Sequence, residues 1–217
     1  MSLAVVATFY RRPWAIPRIA QAIREQTRPP DELFLVYEDK SDGTVLRAQT
    51  WGVRGIKYIP FTVPRDDSGR FTEIAPCIGI NLALDAVQSV NVAYLTDDSL
   101  PLPDKYRQMA DALDEHGAVY CSQDYGNVSG PEEWLQEPRA GGIRRADHVE
   151  MDPCYRVDHT QVAHRLTEDR WPTEMQFLRF SDGEFFNRIA RRFGGLHPLP
   201  DVLDWTRMLP DGISGRS

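Results

Sequence analysis

The sequence has few lysines and cysteines and lacks a long apolar run. The cysteine content and the missing apolar run each exclude classes of protein. Its 217 residues include only three lysines and three cysteines, Cys77, Cys121 and Cys154. Widely spaced cysteines in odd number favour reduced thiols over a disulfide framework or a paired-cysteine metal site. No apolar run reaches the ~18 residues of a membrane span. No basic residue precedes the apolar N-terminal stretch, so we expect no signal peptide and a cytoplasmic location.

Several familiar active-site motifs are also absent. The first predicted strand is followed by no GxGxxG sequence, and the chain has no Walker A loop, no GxSxG elbow and no HExxH pair. His159 and His164 are five residues apart, which is poor spacing for a metal pair on one helical face. These absences argue against dinucleotide-binding, P-loop, serine-hydrolase and zincin chemistry.

The charged residues are biased in type and in sign. Acidic residues outnumber basic ones by 32 to 25, which gives a net charge of −7. With only three lysines, the basic residues are nearly all arginine, which indicates either anionic ligands or simply a GC-rich genome. The net negative charge disfavours broad contact with a nucleic-acid backbone.

The hydrophobic pattern alternates between strand and helix periodicity. It predicts a mostly parallel sheet with helices on both faces, with a long loop over residues 124–152. Ser181 and Glu184 are predicted to form a capping box that begins the last helix, and Gly194 to end it. Predicted strands cover residues 3–8, 32–38, 56–61, 91–95, 118–122 and 161–165, and predicted helices cover 16–23, 44–51, 74–88, 106–113 and 182–193.

Three acidic groups fall where a sheet of this kind binds ligands, beyond the carboxyl ends of its strands. Glu38 and Asp39 end the second strand, Asp97 and Asp98 end the fourth, and Asp182 begins a late helix. Each group alone is also explained by turn formation or by the helix dipole. Together they suit an enzyme that handles a diphosphate, which needs carboxylate oxygens for a divalent metal and a separate base.

Six short segments, in order along the chain, resemble the motifs of the family 2 glycosyltransferases with the GT-A fold. The similarity extends from about Leu3 to Arg207. The segments are VVATFYRRP (5–13), QTRPPDE (26–32), VYEDKSDGT (36–44), GINLAL (79–84), LTDDSLPLPDK (95–105) and FSDGEFFNR (180–188).

The resemblance implies a single GT-A-like domain over residues 1–217, a three-layer α/β/α sandwich with a central, mostly parallel but mixed sheet. Residues 1–122 would bind the nucleotide sugar, and residues 123–217 would bind the acceptor and supply the base. The implied activity is metal-dependent, inverting transfer of a sugar from a nucleotide-diphosphate sugar to a hydroxyl acceptor that the sequence does not identify. A UDP-sugar is the expected donor, with GDP and TDP as alternatives.

The resemblance also implies roles for individual residues. Asp182 would be the general base, while Asp98 and His197 would contact a divalent cation, Mn²⁺ or Mg²⁺. For His197 the alternative is a surface histidine before Pro198. The donor nucleotide would meet a larger set: Thr8, Phe9, Tyr10, Arg12, Glu38, Asp39, Asn81 and Asp97.

The sequence departs from the family pattern at Thr96, Ile80 and Ser181, where the motifs have Asp, Arg and Glu. These departures keep a second hypothesis open, a catalytically silent GT-A domain that binds a nucleotide or glycan. A third is a sugar transferase that acts on nucleic-acid bases. In the second half, Trp134 and Trp171 are candidates for stacking on a sugar or base, or for anchoring loops. An arginine cluster there either meets an anionic acceptor or is simply solvated: Arg139, Arg144 and Arg145.

Overall fold

A computed structural model describes residues 1–10, 12–38, 55–128, 130–136, 141–154 and 156–208. Nine strands occur in these ranges: β1 (Leu3–Phe9), β2 (Glu32–Glu38), β3 (Ile56–Phe61), β4 (Asn91–Thr96), β5 (Ser99–Pro101), β6 (Ala118–Asn127), β7 (Gly142–Arg144), β8 (Val162–Arg165) and β9 (His197–Met208). The α-helices described are α1 (Ile16–Arg24), α2 (Ala75–Ala86), α3 (Lys105–Ala112), α4 (Pro131–Leu135) and α5 (Ser181–Phe193).

The strands form one mixed sheet in the order β3-β2-β1-β4-β8-β6-β9-β5, with β7 paired to β6. The pairs β3–β2, β2–β1, β1–β4 and β6–β9 are parallel. Strand β8 runs antiparallel to both β4 and β6. The ends of β1, β2 and β4 therefore meet at one edge, where the turn before β8 also lies.

Helices cover both faces of the sheet because strand side chains alternate in direction. In β1, Val5 and Ala7 belong to a buried cluster that includes residues of α1 and α3. Ala4 and Val6 belong to a second cluster on the other face, which includes residues of α2 and α5. This three-layer arrangement confirms the predicted fold class.

The described elements differ from the predicted ones mainly in the second half of the chain. Strand β6 continues to Asn127, so it enters the predicted loop, which also contains α4 and β7. Strand β9 was not predicted, because Pro198 and Pro200 disfavour a central strand. It is accommodated by register shifts opposite Ser122. The predicted helix over 44–51 and the turn over 40–43 lie outside the described residues.

Helix α5 begins without the predicted capping box. Phe180 is the N-cap residue and makes no side-chain cap. The Ser181 hydroxyl donates instead to Asp182 Oδ1 at 3.3 Å, and Glu184 accepts from Arg188 one turn later. The C-terminal prediction is confirmed, since Gly194 ends the helix in the left-handed region at φ 78°.

Among the described residues, none of the helices combines the length and the apolar character needed to cross a bilayer.

Candidate active site

Asp97 is held at the ends of β1 and β4 by a backbone N–H and a guanidinium. Its Oδ2 accepts the backbone N–H of Tyr10 at 2.7 Å, and its Oδ1 pairs with the Arg12 guanidinium at 2.8 Å. Burial raises the pKa of the Asp97 carboxyl, and Arg12 opposes that rise. Tyr10, Arg12 and Asp97 are thus brought together at one edge of the sheet.

Asp98 lies beside this pair and remains partly open to solvent. Its carboxylate accepts from the Thr96 hydroxyl at 2.5 Å and lies 3.4 Å from Arg12 Nη1. Its side chain is 18% exposed, against 8% for Asp97. Asp98 therefore has the more accessible of the two carboxylates.

Asp182, in the first turn of α5, forms an ion pair with His159. The Nδ1 atom of His159 lies 3.0 Å from Asp182 Oδ2. Burial lowers the pKa of His159, but the charge and hydrogen bond of Asp182, aided by Asp158 and Asp98, raise it to about 9. Burial raises the pKa of Asp182, yet His159 outweighs this effect and lowers it overall. At neutral pH the pair is therefore ionised.

His159 also links the two acidic centres of the site. It occupies the 3₁₀ turn His159–Gln161 directly before β8, and Asp158 caps that turn. The charges of both Asp98 and Asp182 act on the His159 ring. Because β8 runs antiparallel to β4, the turn that carries His159 and its partner Asp182 lies at the same carboxyl edge of the sheet as Asp98.

The carboxylates suit a divalent cation that arrives together with a diphosphate. The described residues contain no group of three His, Cys, Asp or Glu side chains that could hold a metal alone. Mg²⁺-like cations are commonly bound by one or two carboxylates plus substrate phosphates. Asp98 fits this role, because its carboxylate is partly exposed while Asp97 is committed to Tyr10 and Arg12.

Two of the predicted metal or nucleotide residues lie away from this region or are otherwise engaged. His197 begins β9 opposite Val119, at the other end of the strand from the residues near Asp98, and stacks on His116 at 3.9 Å. It cannot share a cation with Asp98. The amide of Asn81 is bound on both sides to the backbone of Trp171, at 2.8 and 2.9 Å. Its role is to hold that segment in place.

Among the predicted nucleotide-binding residues at the ends of β1 and β2, some are partly exposed and others are buried. Phe9 is 3% exposed and packs in the core, so its ring does not stack on a base. Thr8 and Tyr10 lie half-buried at the same strand end, where Thr8 donates to the Leu95 carbonyl at 3.4 Å. Glu38 is buried, and its Oε1 atom lies 3.5 Å from Arg65 Nη2. Asp39 lies outside the described residues.

The candidate acceptor residues of the second half are mostly structural. Trp134 and Trp171 are 0% and 3% exposed, so they anchor loops and do not present a stacking face. Arg144 stacks on the Tyr125 ring at 3.7 Å, and Arg145 is exposed. Arg139 lies outside the described residues.

Sequence reasoning did not identify His159 as a site residue. The five-residue spacing of His159 and His164 bears only on a metal pair, whereas the ion pair of His159 with Asp182 joins residues 23 apart. A local signal was present, since Asp158 and Gln161 form a capping box directly before a strand. That signal places His159 at the strand edge but does not identify its partner.

The sheet order and the carboxylates at its edge define a GT-A-type glycosyltransferase fold, which solved structures of that class share. The S. aureus TarS 1–349 complex with UDP gives a TM-score of 0.68 at 13% identity, covering 97% of this chain and 61% of that one. Mannosyltransferase PcManGT from Pyrobaculum calidifontis, in complex with GDP-Man and Mn²⁺, gives 0.63 at 18% identity, covering 99% and 58%.

The family follows from the sequence comparison. The model of glycosyl transferase family 2 matches residues 4–186, and the chain belongs to that family. Protein CgeD of Bacillus subtilis is 25% identical over 227 residues, which cover 97% of this chain and 51% of CgeD. The chain thus spans about half the length of this curated relative.

Proposed function

We propose that this glycosyltransferase domain transfers a sugar from a nucleoside-diphosphate sugar, with UDP as the expected carrier, to a hydroxyl acceptor with inversion. The observation that supports this most directly is the pairing of an ionised Asp182 with His159, in the same region as Asp98. An accessible carboxylate for the diphosphate side and a separate base are the two groups that the reaction requires. TarS and PcManGT, which share the fold, are described in complex with UDP or GDP-Man.

In the proposed reaction, Asp182 accepts the proton of the acceptor hydroxyl as its oxygen attacks the anomeric carbon. The bond from that carbon to the diphosphate breaks, and the nucleoside diphosphate leaves with the electron pair. Because attack and departure occur on opposite faces, the anomeric configuration inverts. His159 supports this step by keeping Asp182 ionised at neutral pH.

The donor would bind at the strand ends, with Tyr10 and Thr8 near the nucleoside and Arg12 near the phosphates. Glu38 and Asp97 would complete the nucleotide contacts. A divalent cation held at Asp98 would neutralise charge on the diphosphate. We further propose that residues 1–122 form the donor half and 123–217 the acceptor half of one unit, because the sheet is continuous across residue 122.

The proposal is tested by calorimetric titration of UDP, GDP and TDP with and without Mn²⁺, followed by donor hydrolysis assays. Asp98→Asn should lose the Mn²⁺-dependent part of nucleotide binding. Asp182→Asn should bind UDP as the wild type does, yet lose hydrolysis and transfer by about 100-fold or more. The matched control is Asp85→Asn, which changes an exposed carboxylate paired with Arg170 on the surface.

The outcomes separate the hypotheses. Nucleotide binding without any turnover in the wild type would favour the catalytically silent domain, which the departures at Thr96, Ile80 and Ser181 keep open. The structure buries Ile80 at 1% exposure, so no phosphate contact replaces the missing arginine there. Full turnover by Asp182→Asn would refute the base assignment.

A further inference from the structure

Lys105 and Asp204 form an ion pair that is completely buried. Both side chains are 0% exposed, and Lys105 Nζ lies 2.5 Å from Asp204 Oδ1. Neither residue touches the carboxylates that define the site. Burying an ion pair is expensive, and well-packed apolar residues often stabilise a core as well or better. Its presence therefore calls for a reason other than stability.

One chain of hydroxyl groups connects this ion pair to Asp98. Thr206 Oγ1 donates to Asp204 Oδ2 at 3.1 Å and lies 2.7 Å from Ser99 Oγ. Ser99 Oγ lies 2.9 Å from Thr96 Oγ1, which is the atom that bonds to Asp98. Both ends of the chain are carboxylates, which only accept, so Thr206 donates to Asp204, Thr96 donates to Asp98, and the Ser99 proton serves one of the two threonines. Gln123 Nε2 also donates to Asp204 Oδ2 at 2.9 Å and to Thr206 Oγ1 at 3.0 Å. The Asp98 and Asp204 carboxylates are therefore held in one buried network.

A second arm connects the same ion pair to His159. Lys105 Nζ also donates to the Thr160 carbonyl at 2.6 Å, and the Thr160 hydroxyl lies 2.7 Å from Asp204 Oδ2. Thr160 follows His159 in the 3₁₀ turn, so these bonds fix the turn from its buried side. The same 3₁₀ turn places His159 within 3.0 Å of Asp182.

We propose that the Lys105–Asp204 pair is a positioning centre that fixes Asp98 and His159, on the two sides of the active site, relative to each other. Through Thr206 and Ser99 it orients Asp98 for a cation bound with the nucleotide, and through Thr160 it orients His159. This inference rests on the proposed function and assigns positioning roles to residues whose side chains are closed to solvent.

The test breaks the hydroxyl chain without exposing the buried charges. Thr206→Val removes the hydroxyl at nearly constant shape, and Thr206→Ser restores it. Ser99→Ala is compared with Ser122→Ala, since Ser122 is a buried strand serine whose hydroxyl bonds the Ala146 backbone instead. Mn²⁺ is titrated by calorimetry into each protein saturated with UDP, UDP affinity is measured without metal, and thermal unfolding confirms folding.

We expect Thr206→Val and Ser99→Ala to weaken Mn²⁺ binding by about 10- to 100-fold, the usual effect of losing a group that orients a metal ligand. Thr206→Ser, Ser122→Ala and metal-free UDP binding should stay near wild type. The inference is overturned if Thr206→Val and Ser99→Ala bind Mn²⁺ like the wild type, or if Ser122→Ala is equally impaired. Failure of the proposed function would show differently, as a wild-type protein that binds neither UDP nor Mn²⁺, and it would remove this inference too.

Discussion

His164 should make the folded state sensitive to mild acid. The ring is 1% exposed within an aromatic cluster that includes Tyr94 and Phe185. Its Nδ1 lies 2.7 Å from the Arg165 carbonyl, which requires a donor there, and its Nε2 lies 2.8 Å from the Tyr94 hydroxyl. A neutral imidazole donates to the Arg165 carbonyl and accepts from Tyr94, whereas a protonated one donates at both nitrogens, so the bond with Tyr94 would have to reverse.

The size of the effect follows from the pKa. Burial lowers the pKa of His164 from 6.5 to about 4. Between these values the unfolded chain binds more protons than the folded one, so stability falls as the pH falls through that window. At about 1.36 kcal/mol per pH unit, the full effect is about 3 kcal/mol, and about 2 kcal/mol of it appears between neutral pH and pH 5.

The measurement is urea unfolding of the wild type and of His164→Gln at neutral pH and at pH 5. The variant loses stability at both pH values, but the difference between the two should be smaller than in the wild type by about 2 kcal/mol. His148→Gln is the comparison: the hydrogen bond to Asp147 raises the pKa of this exposed imidazole, so its loss should change the pH dependence in the direction opposite to His164→Gln. An equal pH dependence in wild type and His164→Gln would refute the assignment of a neutral, buried His164.

Two further predictions concern the catalytic base and the packing of α2. His159→Gln removes the cation that lowers the pKa of Asp182, so that pKa should rise and the acidic limb of the donor-hydrolysis pH profile should move to higher pH; an unchanged limb would contradict the pairing. Gly79→Ala should destabilise the fold by about 1–3 kcal/mol, because the added Cβ would lie 2.3 Å from Val36 Cγ1 and 2.7 Å from the Phe61 ring. Gly130→Ala, where nothing lies within 4 Å of the added atom, should change urea stability much less.

The first half of the fold could be predicted because its elements are regular and local. The bounds of β2 and β3 agree with the predicted strands, and the helices α1 and α2 fall almost entirely within the predicted ranges. Parallel strands joined by helices bring their carboxyl ends to one edge, so the meeting of Tyr10 and Asp97 could also be expected. Local periodicity, together with the alternation of strands and helices along the chain, carries this information.

The second half could not be predicted as well, because its contacts are set by tertiary structure. Strand β9 contains prolines that disfavour a strand, yet it pairs with β6 along most of its length through a bulge. The resemblance implies a cation contact for His197, whereas β9 places it at the far end of the strand from the residues near Asp98. Phe9 is a different case: alternation along β1 places its ring on the same buried face as Val5 and Ala7, and the nucleotide contact came only from the resemblance.

The departure at Thr96 is consistent with an active enzyme and does not by itself indicate a silent one. A third carboxylate beside Asp97 and Asp98 would repel both and raise the pKa values of the group. The Thr96 hydroxyl instead donates to Asp98 and lies 2.9 Å from the Ser99 hydroxyl. The Arg12 guanidinium supplies positive charge 2.8 Å from Asp97 and 3.4 Å from Asp98. The site therefore replaces one acidic group with a hydrogen-bond donor whose orientation depends on the buried Lys105–Asp204 pair, and metal affinity in this chain should depend on those hydroxyls as well as on Asp98.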